Sequence, residues 1–232
     1  MDVTELLAEK RNIEGLNLSG MALTDVLAAE PYRFTNCDLT RADLSEADLA
    51  GHVFEKCVLD ETDFRGSDLE GARFEGGGGA KTRFGRAELT DATFVNADLS
   101  GAEFGNALLT DVNFTGCRMI GARLTGARGT SFFLSRSNLT LADLSGCSFR
   151  KHELEGIRFD EANLASCDFT GAVFTDCRLI RARVVDTRFT KADLRGADLG
   201  EVDDGQLRAL TGAIISSSQA AAILAVRGLT VL

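Results

Sequence analysis

Large apolar residues recur every fifth position from Phe34 to Leu199, and of the 34 positions on that walk 32 are Phe, Leu, Met or Val. The exceptions are Gly79 and Gly129. A helix repeats every 3.6 residues and a flat strand every 2, so a period of five fits neither. A fixed internal period marks a repeat architecture. A second position is also fixed. Two residues before each centre stands a small residue, as at Ala42, Ala47, Cys57, Thr62, Ser67, Ala72 and Ala87. The unit is small–polar–large–polar–polar, and its last position is often Gly, as at Gly51, Gly66, Gly71, Gly101 and Gly121. Glycine suits the positive φ of a type II turn. Each unit therefore reads as a very short strand and a corner, with two side chains inward and three toward water.

This pattern resembles the pentapeptide repeat family over 166 of the 232 residues. The resemblance implies an all-β solenoid, a right-handed quadrilateral β-helix with four units per coil. Thirty-four units then make eight and a half coils, and at ~4.8 Å per coil the rod is roughly 40 Å long. The expected organisation is an N-terminal cap and irregular first coil over residues 1–33, the β-helix over 34–202, and a helical C-terminal cap and dimerisation segment over 203–232.

Asp2 and Glu5 form a candidate capping box ahead of Leu6 and Leu7, which predicts a short opening helix. Ile13, Leu18 and Leu23 keep the spacing of five one residue out of frame. They predict a first half-coil, followed by an irregular connection to Pro31. Pro31 is the only proline, and its place before the long repeat predicts a block on strand addition at an exposed coil end. Residues twenty apart stack, which predicts three phenylalanine ladders: Phe34–Phe54–Phe74–Phe94–Phe114, Phe64–Phe84–Phe104 and Phe149–Phe169–Phe189. Gly76 to Gly79 read either as a loop bulging from the rod or as a degenerate unit that keeps register. Phe132 is placed to fill the space left by Gly129. Past Leu199 the period stops. Asp203 and Asp204 predict a helix through Leu210, and Ser216 with Gln219 a second, closed by Gly228.

Composition narrows function by exclusion. The net charge of −10 argues against direct nucleic-acid binding. Met1 to Glu5 lack the pattern of a signal peptide, and no apolar run is long enough for a membrane span, so a cytoplasmic protein is expected. All six cysteines occupy the small inward slot and are expected as reduced thiols, with no metal-ligand spacing. His52 and His152 also occupy that slot, five coils apart, and each either turns outward or widens the coil. No cofactor is called for, and a convex rod offers no obvious cleft, so an enzyme is not expected.

Charge is unevenly laid out. Asp38 to Asp111 hold 16 acidic and 7 basic residues, whereas Val112 to Leu199 hold 10 acidic and 13 basic. Folding by four units gathers Asp48, Asp68, Glu70, Glu88, Asp91 and Asp111 on one face, with Arg128, Arg150, Lys151, Arg188 and Lys191 further along it. This face is either a partner-binding surface or an ordinary solvated wall.

The tail sharpens the resemblance. Leu210-Thr211-Gly212-Ala213-Ile214, Gln219-Ala220 and Gly228-Leu229 look like the C-terminal segment of the quinolone-resistance group of pentapeptide repeat proteins, the MfpA and Qnr type. That resemblance implies a rod-shaped homodimer joined through its C-termini, here Ile223, Leu224, Val226, Leu229 and Val231. It also implies an acidic surface that imitates duplex DNA and engages DNA gyrase or topoisomerase IV, modulating the enzyme or protecting it from inhibitors. The slightly basic C-terminal half departs from a simple DNA mimic. A general protein-interaction scaffold with another partner is the alternative.

Overall fold

A computed structural model describes residues 7, 9–27, 30–129 and 132–231. The opening helix expected from Asp2 and Glu5 lies outside the described residues. The chain winds as a β-solenoid. One wall carries a ten-stranded parallel sheet in sequence order: β1 (Asn12–Glu14), β2 (Arg33–Thr35), β3 (Val53–Glu55), β4 (Arg73–Glu75), β5 (Thr93–Val95), β6 (Val112–Thr115), β7 (Phe132–Ser135), β8 (Glu153–Glu155), β9 (Val173–Arg178) and β10 (Asp193–Asp198). Successive strands pair in a register of twenty residues, Phe34 with Phe54 and Phe54 with Phe74. Single bridges twenty apart form the other three walls. Asp38 meets Val58 on wall 2, Asp43 meets Asp63 on wall 3, and Asp48 meets Asp68 on wall 4.

Why this sequence folds so is visible in one unit. Asp38 N–H donates to Leu16 O of the coil before, and Leu39 and Arg41 donate to Val58 O and Asp60 O of the coil after. Ala42 N–H closes the corner on Leu39 O at 2.8 Å. That leaves the amide of Thr40, which donates to the Asp38 carboxylate at 2.9 Å. All five amides of the unit are satisfied, the fifth by the residue just before the centre. The same bond recurs from Ser45 to Asp43, Glu70 to Asp68, Ser100 to Asp98 and Thr170 to Asp168. The corner residue has positive φ, met by Gly51 at +68° but equally by Arg41 at +56° and Glu46 at +57°. The inter-coil ladder over-determines the backbone there and holds non-glycine residues in a conformation that costs about 1–2 kcal/mol each.

The core is one column. The three ladders form as expected, with ring centroids 4.5 Å apart for Phe74 and Phe94, 5.2 Å for Phe64 and Phe84, and 5.0 Å for Phe149 and Phe169. The first two ladders also meet edge to face, Phe74 lying 5.8 Å from both Phe64 and Phe84. Phe132 is buried between Phe114 and Phe149, at 6.4 and 5.2 Å. Gly76 to Gly79 do not bulge. Gly78 bridges both Val58 and Asp98, so the stretch is an in-register unit. A Cβ on Gly77 would fall 2.1 Å from Cys57 O, so one of the four is glycine for close approach.

The N-terminal end differs from expectation in two ways. Ile13, Leu18 and Leu23 are buried, and β1 pairs with β2 through Ile13 and Phe34. They build three walls of a coil rather than half of one. Pro31 therefore does not guard the open end. It lies one coil in, its ring under Gly51, while the end of the sheet is β1. The two histidines differ. His52 is fully buried, 5.5 Å from the Tyr32 ring, with Nδ1 3.3 Å from Ala50 O and Nε2 without a partner among the described residues. His152 turns partly outward and stacks on exposed Phe133 at 5.6 Å.

At the C-terminal end two helices close the column. Helix α1 (Asp204–Ala209) starts at a capping box of Asp203 and Gln206. Helix α2 (Ser217–Ala225) starts at one of Ser216 and Gln219. Between them Ile214 adds one further rung, bridging Asp193 and accepting from Leu194 N–H. The period of five gave no sign of that rung. Gln219 Nε2 donates to Leu194 O and Ala197 O, satisfying carbonyls of the last coil.

Truncating the crossing point of the ladders, Phe74→Ala, is expected to cost about 3–5 kcal/mol in denaturant unfolding. Burial lowers the pKa of His52 most, opposed by carbonyl contacts and the Asp48 charge, and burial also lowers that of His152. Unfolding raises both toward about 6.5, so protons bind the unfolded chain and stability falls as pH drops below that value. His52→Ala is expected to reduce that slope between about pH 5 and 7, read by thermal melts across pH.

Candidate protein-interaction wall

Wall 4 has eight levels, whose centres run from Leu49 to Phe189. The side chains just before the centres form one column: Asp48, Asp68, Glu88, Leu108 and Arg128 are bridged in turn. Further along, Ser148 is bridged to Asp168 and Asp168 to Arg188. Glu70 and Arg150 stand one place past the centres, and Asp91, Asp111, Lys151 and Lys191 occupy the corner. All six sequence-predicted acidic residues thus come together on the first four levels. Asp68 is half-buried and the other five are exposed. No basic residue stands among them on these levels of the wall. Arg86 lies at the neighbouring corner, 3.8 Å from Glu46.

The electrostatics of this patch differ from those of other walls. On the other walls several carboxylates are matched: Glu61 with Arg41, Asp63 with Arg65 and Arg83, Glu103 with Arg123, Asp160 with Arg178. Among the described residues Asp48, Asp68, Glu70, Glu88 and Asp91 form no ion pair, and each lies near others of like charge. Stacking like charges is unfavourable, so the fold itself does not ask for this arrangement. Part of it is structural nonetheless. Asp48 and Asp68 accept the corner amides of Ala50 and Glu70 at 3.3 and 3.0 Å. Glu70, Glu88 and Asp91 have no such backbone bond among the described residues. The spacing of the sequence puts all six on this face, but it does not separate the two roles, because the amide bonds to Asp48 and Asp68 leave no mark in the period.

The second half of the wall is cationic. Arg128, Arg150, Lys151, Arg188 and Lys191 are exposed. The one carboxylate among them, Asp168, bonds Arg150 at 2.9 Å and lies 3.7 Å from Arg188. Burial opposes its ionisation, but bonds from Thr170 and Arg150 outweigh this and hold its carboxyl at about 2.

The remaining candidate chemistry resolves into structure. Among the described residues no cluster of His, Cys, Asp and Glu is arranged to hold a metal. The six cysteines are free and buried. Burial pushes the Cys117 thiol up to about 11 and that of Cys147 up to about 12, so these are poor nucleophiles. A groove of about 1130 Å³ opens where α1 leans over the last coils, a concavity that sequence reading did not expect. Arg181, Arg183, Arg188 and Arg208 line it, with no histidine or cysteine. Its Thr187 and Thr211 hydroxyls are committed to Leu164 O and Arg208 O. Of the five tail residues expected at a dimer contact, Ile223 is buried on the last coil and Leu224 is half-buried. Val226, Leu229 and Val231 are more than half exposed.

These features define a solenoid whose chemistry lies on its outer walls. The pentapeptide repeats family model matches eight copies, over residues 37–76, 82–128, 137–176 and 167–203, and the chain belongs to that family. Among solved structures, full-length QnrB1, a plasmid-mediated fluoroquinolone resistance protein, is 24% identical with a TM-score of 0.59, covering 94% of this chain and 100% of that one. HetL, a pentapeptide repeat protein involved in heterocyst differentiation regulation from the cyanobacterium Nostoc, is 23% identical with a TM-score of 0.47, covering 88% and 96%. No curated protein matches in sequence. Among the described residues no helix is long and apolar enough to cross a membrane.

Asp68→Ala is expected to lower stability by about 1 kcal/mol through the lost corner bond. Asp68→Asn and Glu88→Gln are expected to leave it unchanged or slightly raised, as denaturant midpoints will show.

Proposed function

We propose that the chain is a non-enzymatic, cytoplasmic DNA mimic that binds a type II topoisomerase, DNA gyrase or topoisomerase IV, through the acidic half of wall 4. The observation that carries this reading is a run of carboxylates on four successive levels, of which Glu70, Glu88 and Asp91 accept no backbone amide and form no ion pair among the described residues. Six carboxylates over four levels ~4.8 Å apart give about one charge per 3 Å of axis, against one per about 3.4 Å along a DNA strand. A rigid rod with that spacing suits a basic channel built for duplex DNA. The tail resemblance to the quinolone-resistance group supports the same partner, as does the likeness in fold to a fluoroquinolone resistance protein. Binding would modulate the enzyme or shield it from inhibitors. The exposed Val226, Leu229 and Val231 suit a homodimer joined at the C-termini, with Ile223 serving the cap. A second reading, a scaffold for a different protein, is favoured by the cationic half of the wall, which duplex DNA does not resemble.

The test is a gyrase supercoiling and drug-stabilised cleavage assay across a salt series. Wild type is expected to inhibit supercoiling or relieve cleavage, with the effect fading as salt rises. Glu70→Lys, Glu88→Lys and Asp91→Lys together spare the corner bonds and are expected to abolish it. An effect indifferent to those reversals would point to the scaffold reading.

A further inference from the structure

Wall 4 is antisymmetric in charge about its own midpoint. Its first four levels carry Asp48, Asp68, Glu70, Glu88, Asp91 and Asp111, and its last four Arg128, Arg150, Lys151, Arg188 and Lys191 against the single Asp168. We propose that this wall is a self-recognition surface, on which two copies of the chain pack face to face with their rods antiparallel.

The geometry follows from the even spacing of the coils. A two-fold axis lying between the walls, perpendicular to the rods, sets the first level of one copy against the eighth of the other and keeps each column on its counterpart. Asp48 then faces Arg188 in the column before the centres. Asp91 faces Lys151 in the corner column. Glu88 lies diagonal to Arg150, and Leu108 faces Arg128. Symmetry forms each contact twice. Only the level of Asp68 and Glu70 meets a like charge, and there Asp168 is already held by Arg150 and Arg188. Parallel rods would place acidic against acidic, so the pattern selects one orientation. No ion pair among the described residues occupies Lys151, Lys191, Glu88 or Asp91 within the chain. A narrow, charged contact of this kind lies at the small end of specific interfaces and is screened by salt. It is separate from the apolar C-terminal tail and does not depend on any topoisomerase. Because it covers the acidic half of the wall, self-association and an external basic partner would exclude each other.

The experiment mixes ¹⁴N- and ¹⁵N-labelled full-length protein at low salt and treats it with a zero-length carbodiimide. Within one chain Asp91 and Lys151 are three levels, ~14 Å, apart, too far for direct amide formation. Mixed-isotope Asp91–Lys151 or Glu88–Lys151 cross-links that vanish in about 0.5 M salt are the expected result. Two charge-reversed variants complete the test, Glu88→Lys with Asp91→Lys and Arg150→Glu with Lys151→Glu. Each alone is expected to associate roughly tenfold more weakly in sedimentation, and their mixture to recover the association. Absence of the mixed-isotope cross-link at low salt, or failure of the mixture to recover what each variant loses, would overturn the proposal. The Arg150→Glu, Lys151→Glu variant keeps every acidic residue of the wall, so loss of self-association with gyrase inhibition retained would separate the two readings.

Discussion

The cross-section of the solenoid admits two side chains from every five residues, and the rest of the molecule answers to that limit. One inward position takes a large group that stacks on its equivalents twenty residues away. The other takes chiefly Ala, Cys, Ser or Thr. With both filled, adjacent coils come close enough for their backbone bonds to form, Leu39 N–H to Val58 O at 2.8 Å and Leu69 N–H to Glu88 O at 2.7 Å. Those bonds in turn force the corners, including Arg41 and Lys191, into positive φ. Packing and hydrogen bonding each presuppose the other, which is why the register runs through Gly76 to Gly79 without a break. Larger residues also enter small slots: Val112 and Ile157 are fully buried there, Tyr32 and His52 lie 5.5 Å apart at the N-terminal end, and Phe132 packs between Phe114 and Phe149.

The same limit shapes the surface. In many units one amide lacks a backbone partner, and an aspartate or asparagine just before the centre accepts it. Acidic composition is therefore partly a product of the fold. On wall 4 the carboxylates beyond that need are Glu70, Glu88 and Asp91, which accept no backbone amide and pair with no cation among the described residues. They lie in the first half of the wall, and the opposite charge lies on the second half.

Much of this was legible in the sequence because a strict period converts position directly into place. Knowing that Phe34, Phe54 and Phe74 are twenty apart is enough to stack them, and the grouping of Asp48, Asp68, Glu88 and Asp111 follows by the same arithmetic. Legibility failed where the period lapses. The coil of Ile13 to Leu23 is joined by a register of twenty-one, so Pro31 looked terminal when it is internal. Ile214 joins the sheet after fifteen residues without periodic signal. The groove beside α1 depends on how a helix lies across an end, which no local pattern encodes. The division of aspartates into corner residues and free charges needed the bond from Glu70 N–H to Asp68, which sequence spacing does not reveal.

Competition for the DNA channel bears most directly on the central claim that the acidic wall takes the place of a duplex. A short labelled DNA bound to gyrase, titrated with this protein while anisotropy is followed, gives a clear outcome. The account predicts full displacement of the duplex, at protein concentrations that rise as salt is raised. A ternary complex, in which the protein binds gyrase and the duplex stays in place, would contradict it.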